Sequence, residues 1–241
     1  MLTGDELPTS DPVSGDAVIF LLDVDNTLLD NDRFGADLGD RLDQSFGPAE
    51  RERYWAIFGR LRDELGLADY LGSLQTFRAG LDDHPDLLAL SEFMLEYPFA
   101  ARLFPRALDA VTHLCTLGTP VVLSDGDIVF QPRKIRRSGV WDAVRGRVMI
   151  YLHKERVLDH MQTRYPARHY VMVDDKPNLL AAMKSVLKDR LTTVFVRQGH
   201  YARAPQAEAA QPAPDRVIEC IADLIGRDLS YFQLSDSQEP I

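Results

Sequence analysis

Cysteine is scarce in this chain: only Cys115 and Cys220 occur among 241 residues. Each has an apolar neighbour (Leu114, Ile221) and neither has metal-ligand spacing, so both read as buried structural thiols rather than reactive groups. Basic charge is also short. Lys and Arg number 27 against 37 Asp and Glu, giving a formal charge of −10. That argues against a nucleic-acid surface, which needs clustered cations, but leaves room for a small phosphorylated substrate in a locally positive pocket. No apolar run approaches the ~20 residues of a membrane span. The first residues carry acids and prolines (Asp5, Glu6, Pro8, Asp11, Pro12) instead of a basic region followed by an apolar one. No secretory signal is read there, no membrane partner is expected, and the expected location is cytoplasmic.

What is present is an ordinary globular composition, 45% hydrophobic and 27% charged, with length for one large domain or two smaller ones. Residues 1–16 are polar and predict a loose leader. Short apolar runs read as strands at 17–22, 120–124, 148–152, 169–173 and 192–196, separated by helix-period segments at 105–117, 155–165 and 177–188. Lys134–Ser138 resembles the end of a helix stopped by Gly139. Strands alternating with helices predict right-handed crossovers and an α/β, doubly wound, mostly parallel sheet. Residues 29–102 break this rhythm. They hold no convincing strand and about four helical segments: 34–46, 48–65 (closed by Gly66), 69–79 and 85–96. They read as an all-helical insert between core segments 17–28 and 103–227. Residues 204–215, poor in bulky side chains, predict a linker or surface loop. A final helix is expected at Val217–Ile225, and a loose tail over 228–241.

The chemistry-bearing groups sit where strands end. The run Val18–Leu22 leads to Asp23 and Asp25, which would share one side if the strand continued through both. The run at 120–124 ends in Ser124, with Asp125 and Gly126 following. Lys154 follows the third run, and Asp174 and Asp175 end the fourth. Taken singly, each has a plain structural use: Ser124 as a turn residue, Lys154 as a surface charge, the Asp pair as a cap for the helix begun by Pro177. Parallel strands deliver all four groups to one edge, where open α/β sheets bind ligands.

The set and its order resemble the haloacid dehalogenase-like hydrolases over residues 18–200. The carriers are Asp23-Val-Asp25-Asn26-Thr27-Leu28, Val121-Val-Leu-Ser124, Lys154, and Val171-Met-Val-Asp174-Asp175. The resemblance implies a Rossmann-like core with a helical cap at 29–102. It also implies a Mg2+-dependent phosphatase acting on a small phosphorylated metabolite, or alternatively a sugar-phosphate phosphotransferase or mutase; a non-catalytic binding protein is the remaining reading. In that family Asp23 would be the nucleophile and Asp25 the acid and base. Asp23, the Asp25 carbonyl and Asp175 would hold the metal, with Asp174 assisting. Lys154 would balance charge, and Ser124 with the amides of Asp125 and Gly126 would bind phosphoryl oxygens. An acid at position 25 favours phosphoryl transfer over dehalogenation, since expelling halide needs no proton donor.

Three positions depart from the family pattern: Asn26 stands for the commoner Gly, Lys154 lacks a following Pro, and Leu179 replaces a further acid. Arg33, Phe34 and Arg78 of the insert, and His200 and Tyr201 after the last strand, are weighed as substrate contacts. The ordinary readings preferred for them are solvated arginines, a packed Phe34 and a surface loop.

Overall fold

The chain's apolar runs pair into one six-stranded, wholly parallel sheet with the order β3-β2-β1-β4-β5-β6. The computed structural model describes residues 17–201 and 210–232. The expected leader, residues 204–209 of the expected linker and residues 233–241 of the tail lie outside them.

Strand β1 (Val18–Leu22) is buried along its whole length, and each of its side chains gains roughly 1.5–3 kcal/mol over an exposed position. Four helices follow: α1 (Asn31–Phe46), α2 (Pro48–Leu65), α3 (Tyr70–Phe77) and α4 (Asp86–Glu96). Their ends carry ordinary capping chemistry. The Asp30 side chain accepts from the Arg33 amide and Asp69 from that of Gly72, Pro48 opens α2, and left-handed Gly66 closes it. The chain then returns through α5 (Ala107–Leu117), β2 (Thr119–Asp125), α6 (Phe130–Ser138), the short α7 (Val140–Ala143), β3 (Val148–Tyr151), α8 (Leu158–Arg164), β4 (His169–Asp174), α9 (Pro177–Leu187), β5 (Leu191–Val196) and β6 (Arg216–Ile218).

Alternation along β1 divides the interior into two layers. Ile19 and Leu21 pack with Met161, Tyr165 and Leu180. Phe20 and Leu22 belong to a larger cluster that continues into the four-helix insert through Phe130, Phe99 and Phe34. Where the chain enters and leaves the insert, the two crossings bond to each other. The Asp30 amide donates to the Arg102 carbonyl at 2.7 Å, and the Phe104 amide to that of Leu28 at 3.0 Å.

Several expectations need correcting. No helix covers Val217–Ile225: Arg216–Ile218 is the sixth strand and Ile221–Leu224 a single 3-10 turn. The open edge of β5 takes up those backbone groups. Residues 229–232 are not loose; they form a 3-10 turn whose Phe232 is buried against Phe20. Asp215, in the expected linker, is anchored by Lys184 Nζ and the Thr193 amide, both at 2.8 Å. The segment 155–165 divides into a 3-10 turn at 154–156 and helix α8. Cys115 is exposed and Cys220 partly so: one step past buried Leu114 on α5 carries the thiol off the apolar face. Among the described residues no helix is long and apolar enough to cross a membrane.

Candidate active site

The sheet order reverses direction about β1, which lies between β2 and β4. That arrangement opens a crevice at the carboxyl ends of the central strands. The Asp23 amide still donates to the Val173 carbonyl at 3.0 Å, so Asp23 is the last residue tied to the β1–β4 ladder. A tight turn follows, in which the amides of Thr27, Leu28 and Leu29 converge on the Val24 carbonyl at 3.3, 2.9 and 3.0 Å. Asn26 takes a φ of +61° there, a left-handed conformation that Asn adopts more readily than most residues. The strand therefore does not run through both acids. Asp23 is 3% exposed, whereas Asp25 reaches the wall of a cavity.

Asp23 belongs to a buried charge cluster. Lys154, wholly buried on the 3-10 turn after β3, directs Nζ to Asp23 Oδ1 and, at 2.6 Å, to Asp174 Oδ2. Its amide donates to Asp125 Oδ1 at 2.7 Å, fixing the turn against the end of β2. Burial alone would discharge the ammonium, but Asp174, Asp23 and Asp125 hold its pKa above the ordinary range. Burial raises the pKa of Asp125, partly offset by Lys154. It also raises those of Asp174 and Asp175, for Asp175 with the added repulsion of Asp174 and Asp23. Lys176 is held charged against burial chiefly by Asp23.

Carboxylate oxygens of Asp23, Asp174 and Asp175 all lie within 4.8 Å of one another. Asp23 Oδ2 and both oxygens of Asp175 are buried without a hydrogen-bond partner. Buried carboxylate oxygens without partners are costly unless a cation meets them. An all-oxygen set of this kind suits a hard divalent ion such as Mg2+. The Asp25 carboxylate is not part of the cluster. Nor does the Asp pair cap α9: its N-cap is Lys176, whose amide Asp174 accepts at 2.8 Å.

A second arrangement lies on the insert side. Ser124, 1% exposed, accepts from Gln131 Nε2 at 3.0 Å, and the same Gln131 nitrogen reaches Asp25 Oδ2 at 3.2 Å. Lys134, one helical turn on, binds both Asp25 oxygens at 2.8 and 3.0 Å. Neither Gln131 nor Lys134 was legible as a site residue. Their one signal is the i, i+3 spacing after Ser124, in a segment whose arginines suggest a solvated face.

The cavity beside Asp25 measures about 350 Å³. Asp25, Asp125, Gly126 and Lys176 line it from the core, and Trp55, Phe58 and Arg62, on one face of α2, from the insert. Asp23, Ser124, Lys154, Asp174 and Asp175 are buried and do not line it. A wider depression of about 620 Å³ adjoins it and shares Gly66, Asp125, Lys176 and Tyr201. His200 and Tyr201, read as surface loop, border the cavity; His200 Nδ1 lies 2.6 Å from Asp32 Oδ1. Gly199 allows that approach: at φ +70°, a Cβ there would sit 2.5 Å from the Cβ of Asn26. Arg33 and Arg78 pair with Asp37 and Asp82 on the surface, and Phe34 is packed away, as their ordinary readings predict.

No protein-family model matches the chain, and no curated protein does. Solved structures do match. A haloacid dehalogenase-like hydrolase of Burkholderia xenovorans LB400 is 55% identical over 88% of this chain and 99% of its own, with a TM-score of 0.83. The HAD-hydrolase YfnB of Bacillus subtilis, solved bound to magnesium, shares the fold at 18% identity over 87% and 97% of the two chains, with a TM-score of 0.57. So does an L-2-haloacid dehalogenase of Xanthobacter autotrophicus, at 17% identity over 86% and 96%, TM-score 0.54. Identity above half along nearly the whole of the first of these makes the chain a member of the haloacid dehalogenase-like hydrolases.

Proposed function

We propose that this hydrolase is a Mg2+-dependent phosphatase of a small phosphorylated metabolite, working through an aspartyl-phosphate. The observation that carries the reading is Asp25, a carboxylate on the cavity wall two residues beyond buried Asp23. A phosphate monoester repels an anionic nucleophile, so the site has to neutralise charge and align the attack. The Asp23 carboxylate attacks phosphorus, and the ester P–O bond breaks as Asp25 gives its proton to the departing alkoxide. Asp25 then takes a proton from water, whose oxygen attacks phosphorus. The P–O bond to Asp23 breaks and inorganic phosphate leaves. Lys154 holds one Asp23 oxygen and balances the charge that gathers between carboxylate and phosphoryl group. Ser124 and the amides of Asp125 and Gly126 meet the phosphoryl oxygens. Asp23 and Asp175, with Asp174 and the Asp25 carbonyl, would hold Mg2+, which when bound supplies electrostatic stabilisation of the phosphoryl oxygens. The helical insert acts as a cap, with Trp55, Phe58 and Arg62 turned to the substrate's organic part.

Dehalogenation, the activity in the name of the Xanthobacter autotrophicus neighbour, is the weaker reading because an acid at position 25 has no task in expelling halide. A screen of phosphorylated metabolites in Mg2+ tests the proposal. Phosphate release without any acceptor sugar supports a phosphatase, and release only with an acceptor a phosphotransferase. Halide release from 2-chloropropionate with no phosphate released from any ester would overturn it.

A further inference from the structure

A buried ammonium needs a reason. Lys134, on α6, is 1% exposed, and its Nζ lies 5.5–6.0 Å from the ring centroids of Phe34, Tyr70, Phe99 and Phe130. Taking a cation out of water into such surroundings is unfavourable unless good acceptors meet it, and a methionine would fill the same space without that penalty. The acceptors are specific. Nζ donates to Asp25 Oδ1 at 2.8 Å, to Asp25 Oδ2 at 3.0 Å and to Asn31 Oδ1 at 2.9 Å. Asn31 is oriented in turn, its Nδ2 donating to the Tyr70 hydroxyl at 3.1 Å. Gln131 adds a second donor to Asp25 Oδ2. The carboxylate is gripped on its buried side, while the side chain keeps 25% exposure toward the cavity.

The helix presenting Lys134 is itself clamped to the insert. Arg133 Nε donates to the Leu95 carbonyl and Arg137 Nη2 to that of Glu96, each at 2.6 Å. Three of the four rings about Lys134 also belong to the insert. The ammonium therefore sits where core, insert and Asp25 meet.

We propose that Lys134 is the positioning residue for Asp25, fixing its carboxylate so that the free lone pairs face the bound ester. This rests on the phosphatase reading, in which Asp25 moves protons. Lys134 touches no substrate atom and moves no proton; it acts through Asp25 alone.

A misplaced proton donor matters most when the leaving group is a poor one. The test compares Lys134→Met and Lys134→Gln with Asp25→Asn, using 4-nitrophenyl phosphate and a simple alkyl phosphate in Mg2+. Lys134→Met is expected to lower kcat/KM about a hundredfold on the alkyl ester but only about threefold on the aryl ester. It should lower kcat on both, because hydrolysis of the intermediate uses Asp25 whatever the leaving group. Added to Asp25→Asn, it should cost less than about a further twofold. Equal losses of kcat/KM on the two esters, or additivity with Asp25→Asn, would overturn the proposal. Loss of the folded state in both Lys134 variants, followed by near-ultraviolet circular dichroism, would make the residue structural and overturn it too. Should Asp25→Asn lose alkyl-phosphate turnover while the Lys134 variants keep it, this proposal alone falls. Should wild-type protein release no phosphate, the functional reading falls and takes this one with it.

Discussion

Two lysines grip two acids that stand two residues apart, in opposite surroundings. Lys154 holds Asp23 in a charge cluster built from the ends of three strands, with Asp174 as its second partner. Lys134 holds Asp25 among aromatic rings contributed mostly by the insert, with an amide as its other acceptor. In the first, carboxylates outnumber the ammonium, and orphaned oxygens leave a place for a cation. In the second, one ammonium and one carboxylate balance, with the amides of Asn31 and Gln131 and four aromatic rings about them. The sheet edge is thus arranged to gather charge, and the junction with the insert to hold a single group still.

Substitutions at the sheet edge should be the more damaging. Asp23→Asn is expected to abolish hydrolysis of an aryl phosphate by at least about a thousandfold, with melting behaviour close to wild type; retained turnover would remove Asp23 from the chemistry. Lys154→Met should also destabilise, by about 3–5 kcal/mol, because Asp23 and Asp174 would be left without their buried counter-charge. Denaturant unfolding measures this, and a change below about 1 kcal/mol would erase the contrast between the two lysines.

Metal and pH sharpen the same contrast. Asp174 and Asp175 have pKa values raised from the ordinary 3.8 by burial, with Asp23 repelling both and Asp174 adding to the rise at Asp175. A carboxyl whose folded pKa is raised keeps its proton longer folded than unfolded. Its contribution to stability is complete below 3.8 and lost as pH rises toward the folded values. Metal-free protein should therefore lose thermal stability as pH rises above about 4. Mg2+ should restore it, by about 2.7 kcal/mol at a hundred times its dissociation constant, and EDTA should silence turnover. Thermal melts across pH, with and without Mg2+, check the sign.

The smallest effect belongs to the tight turn that follows Asp23 and carries Asp25 and Asn26. Asn26 Oδ1 accepts from the amides of Asn31 and Asp32 at 3.1 and 3.2 Å. Asn26→Gly should cost about 1 kcal/mol through those lost bonds. Asn26→Ala should cost about 1 kcal/mol more, since a Cβ-bearing residue must then hold the left-handed turn. Equal effects of the two would show that the φ of +61° carries no penalty.

The same division governs what could be read from the chain. β1, β2, β4 and β5 are short apolar runs buried on both faces, a pattern local enough to see, and the polar groups at their ends follow by position. Asp23, Ser124, Asp174 and Asp175 were accessible for that reason, and Lys154 by its place after the third apolar run. β6 was not: its three residues carry Val217 and Ile218 in a spacing that also suits a helix, and only the vacant edge of β5 makes them a strand. Lys134 and Gln131 were hidden for a similar reason. On α6 they are two polar residues among arginines, and their meaning appears only once the rings of Phe34, Tyr70 and Phe99, distant in sequence, close over them. His200 and Tyr201 reach the cavity through Gly199 and Asp32, contacts that no strand pattern encodes.

In the proposed reaction Asp23 carries the phosphoryl group. Asp25→Asn should form that intermediate from 4-nitrophenyl phosphate, whose leaving group needs no proton, and hydrolyse it slowly. Acid quenching in the presence of Mg2+, borohydride reduction and peptide mass spectrometry then read residue 23 directly. Conversion of Asp23 to homoserine in step with the burst of nitrophenol is the expected result. Nitrophenol release with residue 23 unmodified would contradict it.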